Sequence, residues 1–337
     1  MKAIVVGASG YAGGDLVRIL ARHGKVDEVE ASSRAHEGRP VSGVHQNLRG
    51  IYDKRFVPFD SSKADADVVF LAVPHGQAME HVPKLLERGI KVVDLSADYR
   101  ISDQALYEKY YVKHRSPELL KEAAYGLPEL FRERIRKARL VANPGCYTTA
   151  AILSLAPMGA FKDRIDASKV VVDAKSGTSG AGTKAETVYM HTEADESMRI
   201  YKAVGHRHQP EIEHVLKAIV PNISVSFTPT LVPMIRGILS NAHVFGDLEG
   251  VDLRKHYERF YSKEAFVRVV EESYTKNVTH SNYCDISVFY DAEKKRAVLV
   301  SAIDNLIKGA AGQAVQNMNL MFGYDEAEGI DSPPYHP

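Results

Sequence analysis

The sequence predicts an α/β protein: a doubly wound parallel sheet, followed by a second unit built on a mixed or antiparallel sheet. Three observations predict it. Apolar runs at Ala3 to Val6, Val68 to Val73 and Val92 to Leu95 alternate with helix-like segments. A glycine turn, "GASGYAGG", joins the first run to the first helix. Beyond Cys146 the texture changes to β-rich runs around a Gly/Ser loop.

The run Ala3 to Val6 is continuous, as in a strand buried on both faces. Leu16, Ile19 and Leu20 then recur at helical spacing until His23 and Gly24, which read as a helix end. Gly7, Gly10 and Gly13 stand as G-x-x-G-x-x-G, not as the dinucleotide fingerprint G-x-G-x-x-G. The physics is shared even so. Glycines permit a tight turn and a close backbone approach to phosphate, and the N–H groups of a helix start attract its charge. Ser9, Tyr11 and Ala12 lie in the same turn and are counted with the nucleotide site. A packing turn without a ligand is the competing reading.

Val26 to Ala31 gives the second strand, and Ser32, Ser33 and Arg34 follow it, with Arg39 nearby. An NAD-specific protein places a carboxylate there for the ribose 2′-hydroxyl. A hydroxyl and a guanidinium suit a 2′-phosphate instead, so the expected cofactor is NADP(H). A solvated loop arginine is the alternative. Pro83 interrupts the helical segment between Val73 and Val92, which predicts a kink or a late helix start. Leu140 to Ala142 closes the first half.

In the second half, "KVVVDAKSGTSGAG" is a strand running into a loop, and Ile223, Val225 and Phe227 alternate. "RAVLVSAIDN" is another strand, and Cys284 lies at the start of one. Near the end Ala311, Val315 and Met318 predict a helix with one apolar stripe.

Composition excludes several function classes. With 43 basic and 43 acidic residues among 337, bulk charge supports neither nucleic-acid nor membrane binding. Two cysteines are too few for a disulfide scaffold and point to a reducing cytoplasm. The start of the chain does not read as a signal peptide, and no apolar run has membrane-spanning length.

The chemistry centres on "NPGCYTTA". Cys146 follows Asn143, Pro144 and Gly145 at the carboxyl end of a parallel strand, where ligands bind in wound sheets. At a helix N-terminus the dipole stabilises a thiolate, which makes a nucleophile. A small buried hydrophobe is the ordinary reading of a lone cysteine, and Cys284 fits it better. A thiolate beside a nicotinamide predicts acyl transfer to sulfur coupled to hydride transfer. That chemistry needs an acid/base, and "GHRHQPEIE" supplies His206 and His208 around Arg207. If this piece is extended, the two histidines face one way and Arg207 the other. A His-x-His metal pair competes, but no further Cys/His cluster stands at ligand spacing, so no metal is expected.

"GASGYAGGDLVRIL", "NPGCYTTA", "SGTSGAG", "GHRHQPEIE", "RGIL" and "DNLIKGAAGQAVQNMN" resemble the N-acetyl-γ-glutamyl-phosphate reductase family, in this order and across almost the whole chain. The resemblance implies a Rossmann NADP-binding domain over 1–145, an α+β catalytic and dimerisation domain over 146–308, as in aspartate-semialdehyde dehydrogenase, and a C-terminal helical segment, 309–337, returning to the first domain. It implies a homodimer or homotetramer. By the same resemblance Cys146 is the nucleophile, His208 the acid/base and His206 a neighbour of the substrate. Ser176, Gly177 and Gly180 would approach the nicotinamide, and Asn305 would join the cofactor site. Arg100 and Ser96 in "DLSADYR", Asn143 and Arg207 would hold the phosphate or substrate. "HQNLRG" (His45 to Gly50) and the ending "DSPPYHP" are similar to a branch acting on aminoadipyl or glutamyl phosphates linked to the acidic carrier protein LysW, in lysine or arginine biosynthesis. Gln46 departs from that branch's proline, and "NPGCYTTA" is closer to the enzymes of the acetylated substrate, in ordinary arginine biosynthesis. A non-catalytic NADP sensor, or a phosphorylating dehydrogenase for another aldehyde, would be the readings from outside.

Overall fold

The computed structural model describes residues 1–335; the last two residues of "DSPPYHP" lie outside the described residues. The chain divides into two compact units, Met1–Pro144 with Ala310–Ser332, and Gly145–Gly309 with the tail from Pro333.

The first unit runs β1 (Lys2–Val6), α1 (Tyr11–Leu20), β2 (Glu28–Ser32), β3 (Val68–Leu71), α2 (Ala78–Glu87), β4 (Lys91–Asp94), α3 (Gln104–Tyr110), β5 (Ala124–Tyr125), α4 (Pro128–Arg136) and β6 (Leu140–Ala142). Its six strands pair in the order β2-β1-β3-β4-β6-β5, every pair parallel. Val68 to Leu71 are buried without exception, as a strand covered on both faces must be. Pro83 lies inside α2 rather than at its start, so of the two expectations, a kink or a late start, the late start is corrected. Proline cannot donate to the carbonyl four residues back. The Ser116 hydroxyl is the donor that approaches that carbonyl, Met79 O, at 3.5 Å.

The second unit runs α5 (Cys146–Leu155), β7 (Val170–Ser176), α6 (His191–Ala194), β8 (Arg199–Ile200), α7 (His208–Leu216), β9 (Val225–Leu231), β10 (Ile238–Phe245), α8 (Leu253–Phe260), β11 (Val267–Val269), β12 (Cys284–Asp291) and β13 (Arg296–Ile303). The seven strands lie in the order β11-β12-β13-β10-β7-β9-β8. The sheet is mixed: β7–β9 and β11–β12 are parallel, and the other pairs antiparallel. Helix α5 packs on β10 and β13 and alongside α7. The period-two burial of β10 shows why the sequence makes a strand there: Ile238, Ser240, Ala242 and Val244 are buried in alternation.

The last helix, α9 (Gly312–Phe322), belongs to the first unit, where it packs against α1 and α4. A single apolar stripe was expected; instead every residue from Gly312 to Met321 is buried, polar ones included. Two of the polar side chains reach partners distant in the chain. Asn319 bonds His23 Nε2 at 2.9 Å, and Asn317 Nδ2 donates to Gly126 O at 2.9 Å. No helix among the described residues is long and apolar enough to cross a membrane.

Candidate active site

In the first unit, β1 delivers the chain into the glycine turn. Gly7 takes φ +80°, and a Cβ there would stand 2.2 Å from Ala72 O, so only glycine fits. A Cβ on Gly13 would meet Gly7 O at 2.4 Å, so α1 sits directly on the turn. The N–H groups of Gly7 and Ala8 are fixed by Ser32 O at 3.0 and 2.9 Å. The start of α1 is capped by Gly10 with no side-chain bond, and its first turn carries no acidic residue. Uncapped N–H donors without a competing carboxylate are what a nucleotide phosphate requires. Ser9 Oγ and the buried Ser33 Oγ meet at 2.8 Å, Tyr11 is exposed, and Ala12 is half-buried. Arg34 is exposed at the end of β2. Hydroxyls and an exposed guanidinium are groups that suit a phosphate on a nucleotide ribose.

The other first-unit residues expected at the site have structural employment. Ser96 donates to Asp94 Oδ2 at 2.9 Å and accepts the Asp98 N–H at 3.1 Å. Arg100 is buried and donates to Asn143 O and Leu95 O, both at 2.7 Å. Asn143, expected beside the phosphate, spends both ends of its amide inside this unit: it donates to Ala310 O at 3.1 Å and accepts from Asn317 at 3.0 Å. Beneath them Asp94 is fully buried, and that burial, ahead of its neighbour Asp98, pushes its carboxyl up to about 7.

In the second unit Cys146 is the first residue of α5, capped by Gly145, and is partly exposed; Cys284 is fully buried. Close packing holds the thiol residue from two sides. A Cβ on Gly309 would lie 2.7 Å from Cys146 Cβ, and one on Gly145 would lie 2.6 Å from His208 Nε2. The imidazole thus rests against the residue that precedes the thiol. The Gly145 N–H donates to Oε1 of Glu211, a wholly buried carboxylate one turn along α7 from His208. In the sequence Glu211 stands inside "GHRHQPEIE" without a role of its own. Its signal was the spacing of three from His208, which puts both on one helix face.

The histidine segment is not extended. Arg207 has helical φ −60°, ψ −24°, and α7 begins at His208, which overturns the expected opposition of Arg207 to the pair. The rings still meet, with centroids 4.9 Å apart at 66°. His206 Nδ1 accepts the His208 backbone N–H at 3.1 Å, so in the neutral ring the proton sits on Nε2. Burial, then Arg207 and Lys202, lower His206 to about 4. Tyr147 and Phe227 pack on His206 at 6.1 and 5.2 Å, and Tyr201 at 5.7 Å. The Tyr201 hydroxyl donates to Tyr147 Oη at 3.1 Å, and burial pushes Tyr201 up to about 12.

The loop after β7 is held from below. Asn305 Nδ2 donates to Ser179 Oγ at 2.9 Å, and its Oδ1 accepts the Gly237 N–H at 2.7 Å. Gly177 and Ser179 bond Gly237 O and Ile235 O. Ser176 Oγ donates to its neighbour's carbonyl, Gly177 O, at 3.0 Å, and a Cβ on Gly180 would stand 3.1 Å from Ser176 Oγ. Asn305 therefore shapes the loop Ser176–Gly182. Among the described residues no three His, Cys, Asp or Glu side chains group as metal ligands would.

Both units match known families along the chain. The model of the semialdehyde dehydrogenase NAD-binding domain matches residues 2–138, and that of the semialdehyde dehydrogenase dimerisation domain matches 146–305. Aspartate semialdehyde dehydrogenase II from Vibrio cholerae shares the fold with a TM-score of 0.72 at 19% identity, over 96% of this chain and 98% of its own. Aspartate semialdehyde dehydrogenase from Candida albicans, solved with NADP, gives 0.70 at 14%, over 95% and 98%. The class is therefore the oxidoreductases of semialdehyde dehydrogenase type. Proteins named N-acetyl-gamma-glutamyl-phosphate reductase are far more similar in sequence: that of Methanopyrus kandleri is 50% identical over 99% of this chain and 98% of its own. That of Archaeoglobus fulgidus is 48% identical over the full length of both. The chain belongs to the N-acetyl-γ-glutamyl-phosphate reductase family.

Proposed function

We propose that the protein reduces N-acetyl-γ-glutamyl phosphate to its semialdehyde, with NADPH as reductant and Cys146 as nucleophile. The observation that carries this is the placement of a partly exposed thiol at the first residue of α5, with the His208 ring against its preceding residue. The helix dipole favours negative charge on Sγ. Sγ attacks the acyl carbon, the C–S bond forms, the C–O bond to phosphate breaks, and phosphate leaves with the electron pair. N–H groups at the start of α5 stabilise the oxyanion of that step. When bound, NADPH supplies the hydride that reduces the thioester. His208 supplies the proton to the oxygen and takes it back as the C–S bond breaks and the semialdehyde departs. His206, lowered to about 4, is neutral at physiological pH and orients rather than protonates. The glycine turn with Ser9, Ser33 and Arg34 holds the nucleotide.

The acetylated substrate is preferred because the full-length relatives carry its name. The carrier-linked reading rests on "HQNLRG" and the chain's ending. One assay separates them: phosphate-dependent NADP⁺ reduction with N-acetylglutamate semialdehyde, with aspartate semialdehyde, and with LysW-linked glutamate and aminoadipate semialdehydes. The acetylated aldehyde should give the highest kcat/KM. Faster turnover of a carrier-linked aldehyde, falling steeply with salt as steering is screened, would transfer the proposal to the carrier branch.

A further inference from the structure

"HQNLRG" has no part in the chemistry above, yet its first residue reaches the nucleotide turn. His45 Nε2 lies 2.8 Å from Ala8 O. A carbonyl only accepts, so this nitrogen carries the proton. The His45 ring also occupies the space a side chain at position 14 would fill: a Cβ on Gly14 would stand 2.4, 2.7 and 2.8 Å from Cε1, Nδ1 and Nε2. The ring is thus wedged between the turn and the first turn of α1. Its own backbone is anchored on both sides, His45 N–H to Val41 O and Leu48 N–H to His45 O, both at 2.9 Å. Val41 and Leu48 are fully buried, so the segment is pinned to the unit by its apolar residues while Gln46, Asn47 and Arg49 face outward.

We propose that His45 is a positioning residue for the cofactor, fixing the Ala8–Ser9 peptide so that the turn's N–H groups face the nucleotide pyrophosphate. This rests on the reading of the turn as the NADPH site. The Ala8 N–H is already tied to Ser32 O, so the bond from His45 to Ala8 O fixes the far side of the same residue. In a planar trans peptide the N–H of Ser9 points opposite to the carbonyl of Ala8. Holding that carbonyl toward His45 therefore aims the Ser9 N–H away from it. Without the imidazole the peptide is free to rotate, and the pyrophosphate meets an unformed turn. Gly14 is the other half of the device, because any side chain there expels the ring.

The test measures binding rather than turnover. NADPH is titrated by its fluorescence into the full-length parent, His45→Ala, His45→Gln and Gly14→Ala, with thermal unfolding recorded for each. Loss of one hydrogen bond should weaken NADPH binding about tenfold in His45→Ala. Glutamine presents an N–H near the position of Nε2, and His45→Gln should recover most of that loss. Gly14→Ala places a good helix former in α1, so it should weaken NADPH binding without lowering the unfolding temperature. Adenosine 2′-monophosphate lacks the pyrophosphate, and its affinity should be the same in all four proteins. Unchanged NADPH affinity in His45→Ala, or equal losses for both ligands, would overturn the assignment. A parent that binds adenosine 2′-monophosphate and NADPH equally poorly would instead overturn the cofactor reading itself, and the assignment with it.

Discussion

Glu211 Oε1 accepts the Gly145 N–H at 2.9 Å, which joins the start of α7 to the cap of α5 through one buried carboxylate. Helix N-terminal N–H groups need an acceptor, and here a residue 66 positions away provides it. The same bond fixes the peptide just before the thiol.

Glu211→Ala leaves that N–H without its acceptor in a dry site. Such a loss costs about 1–3 kcal/mol. Urea unfolding should show it, with turnover falling as well because the thiol loses its support. Glu211→Gln keeps an oxygen at the same reach and should recover most of both. Equal damage from alanine and glutamine would mean the carboxylate's charge, not its hydrogen bond, matters.

Cys146→Ser should bind NADPH as the parent does and lose nearly all turnover, by several orders of magnitude. Cys284 is fully buried at the start of β12, far along the chain, and Cys284→Ser should keep turnover within a few-fold. Steady-state rates with a nucleotide titration check both. Substantial activity in Cys146→Ser would refute the thioester route.

Arg34→Ala removes an exposed guanidinium from the end of β2. A charge-assisted bond to a 2′-phosphate is worth about 1.5–3 kcal/mol. NADPH affinity should drop roughly ten- to a hundredfold by that arithmetic, and NADH affinity should hardly move. Equal losses for the two cofactors would place Arg34 elsewhere.

His206 gives stability a defined pH dependence. Its native value lies near 4, against an ordinary 6.5, because burial and then Arg207 and Lys202 disfavour the charged ring. Between those values the unfolded chain binds a proton that the native protein does not. The unfolded state is therefore favoured increasingly as pH falls from 6.5 to about 4, and the effect is complete below that. The total is on the order of 3 kcal/mol. In chemical denaturation series across this window, His206→Gln should lose most of the slope. A slope identical to the parent's would show that other groups set it.

Much of the fold was legible because its signals are local. Buried parallel strands are continuous apolar runs, and the glycine turn stands where β1 meets α1. β6, Leu140–Ala142, was read to the residue, because a glycine-containing bend and a helix follow it at once. The two-residue strand β5 was missed: Ala124 and Tyr125 carry no periodicity. The sequence predicts a stripe for α9 because its polar Gln and Asn side chains look solvated, whereas Asn317 Nδ2 and Asn319 bond Gly126 and His23, which are distant in the chain. At the site, Cys146 and the histidine pair were visible from spacing. The amides of Asn143 and Asn305 also bond Ala310, Asn317, Ser179 and Gly237, which no local pattern in the sequence links to them.

The first unit is closed by α9, which arrives 165 residues after the chain has left that unit, since Gly145–Gly309 belongs to the other. During synthesis the order of emergence and the order of completion are therefore inverted. Strands β1 to β6 leave the ribosome ahead of the second unit, but α1 and α4 wait with uncovered faces until the residues of that unit have been made. The contiguous middle segment has all of its strands within one stretch and can consolidate while the earlier residues remain open. The glycine turn is thus made long before the helix that completes its unit.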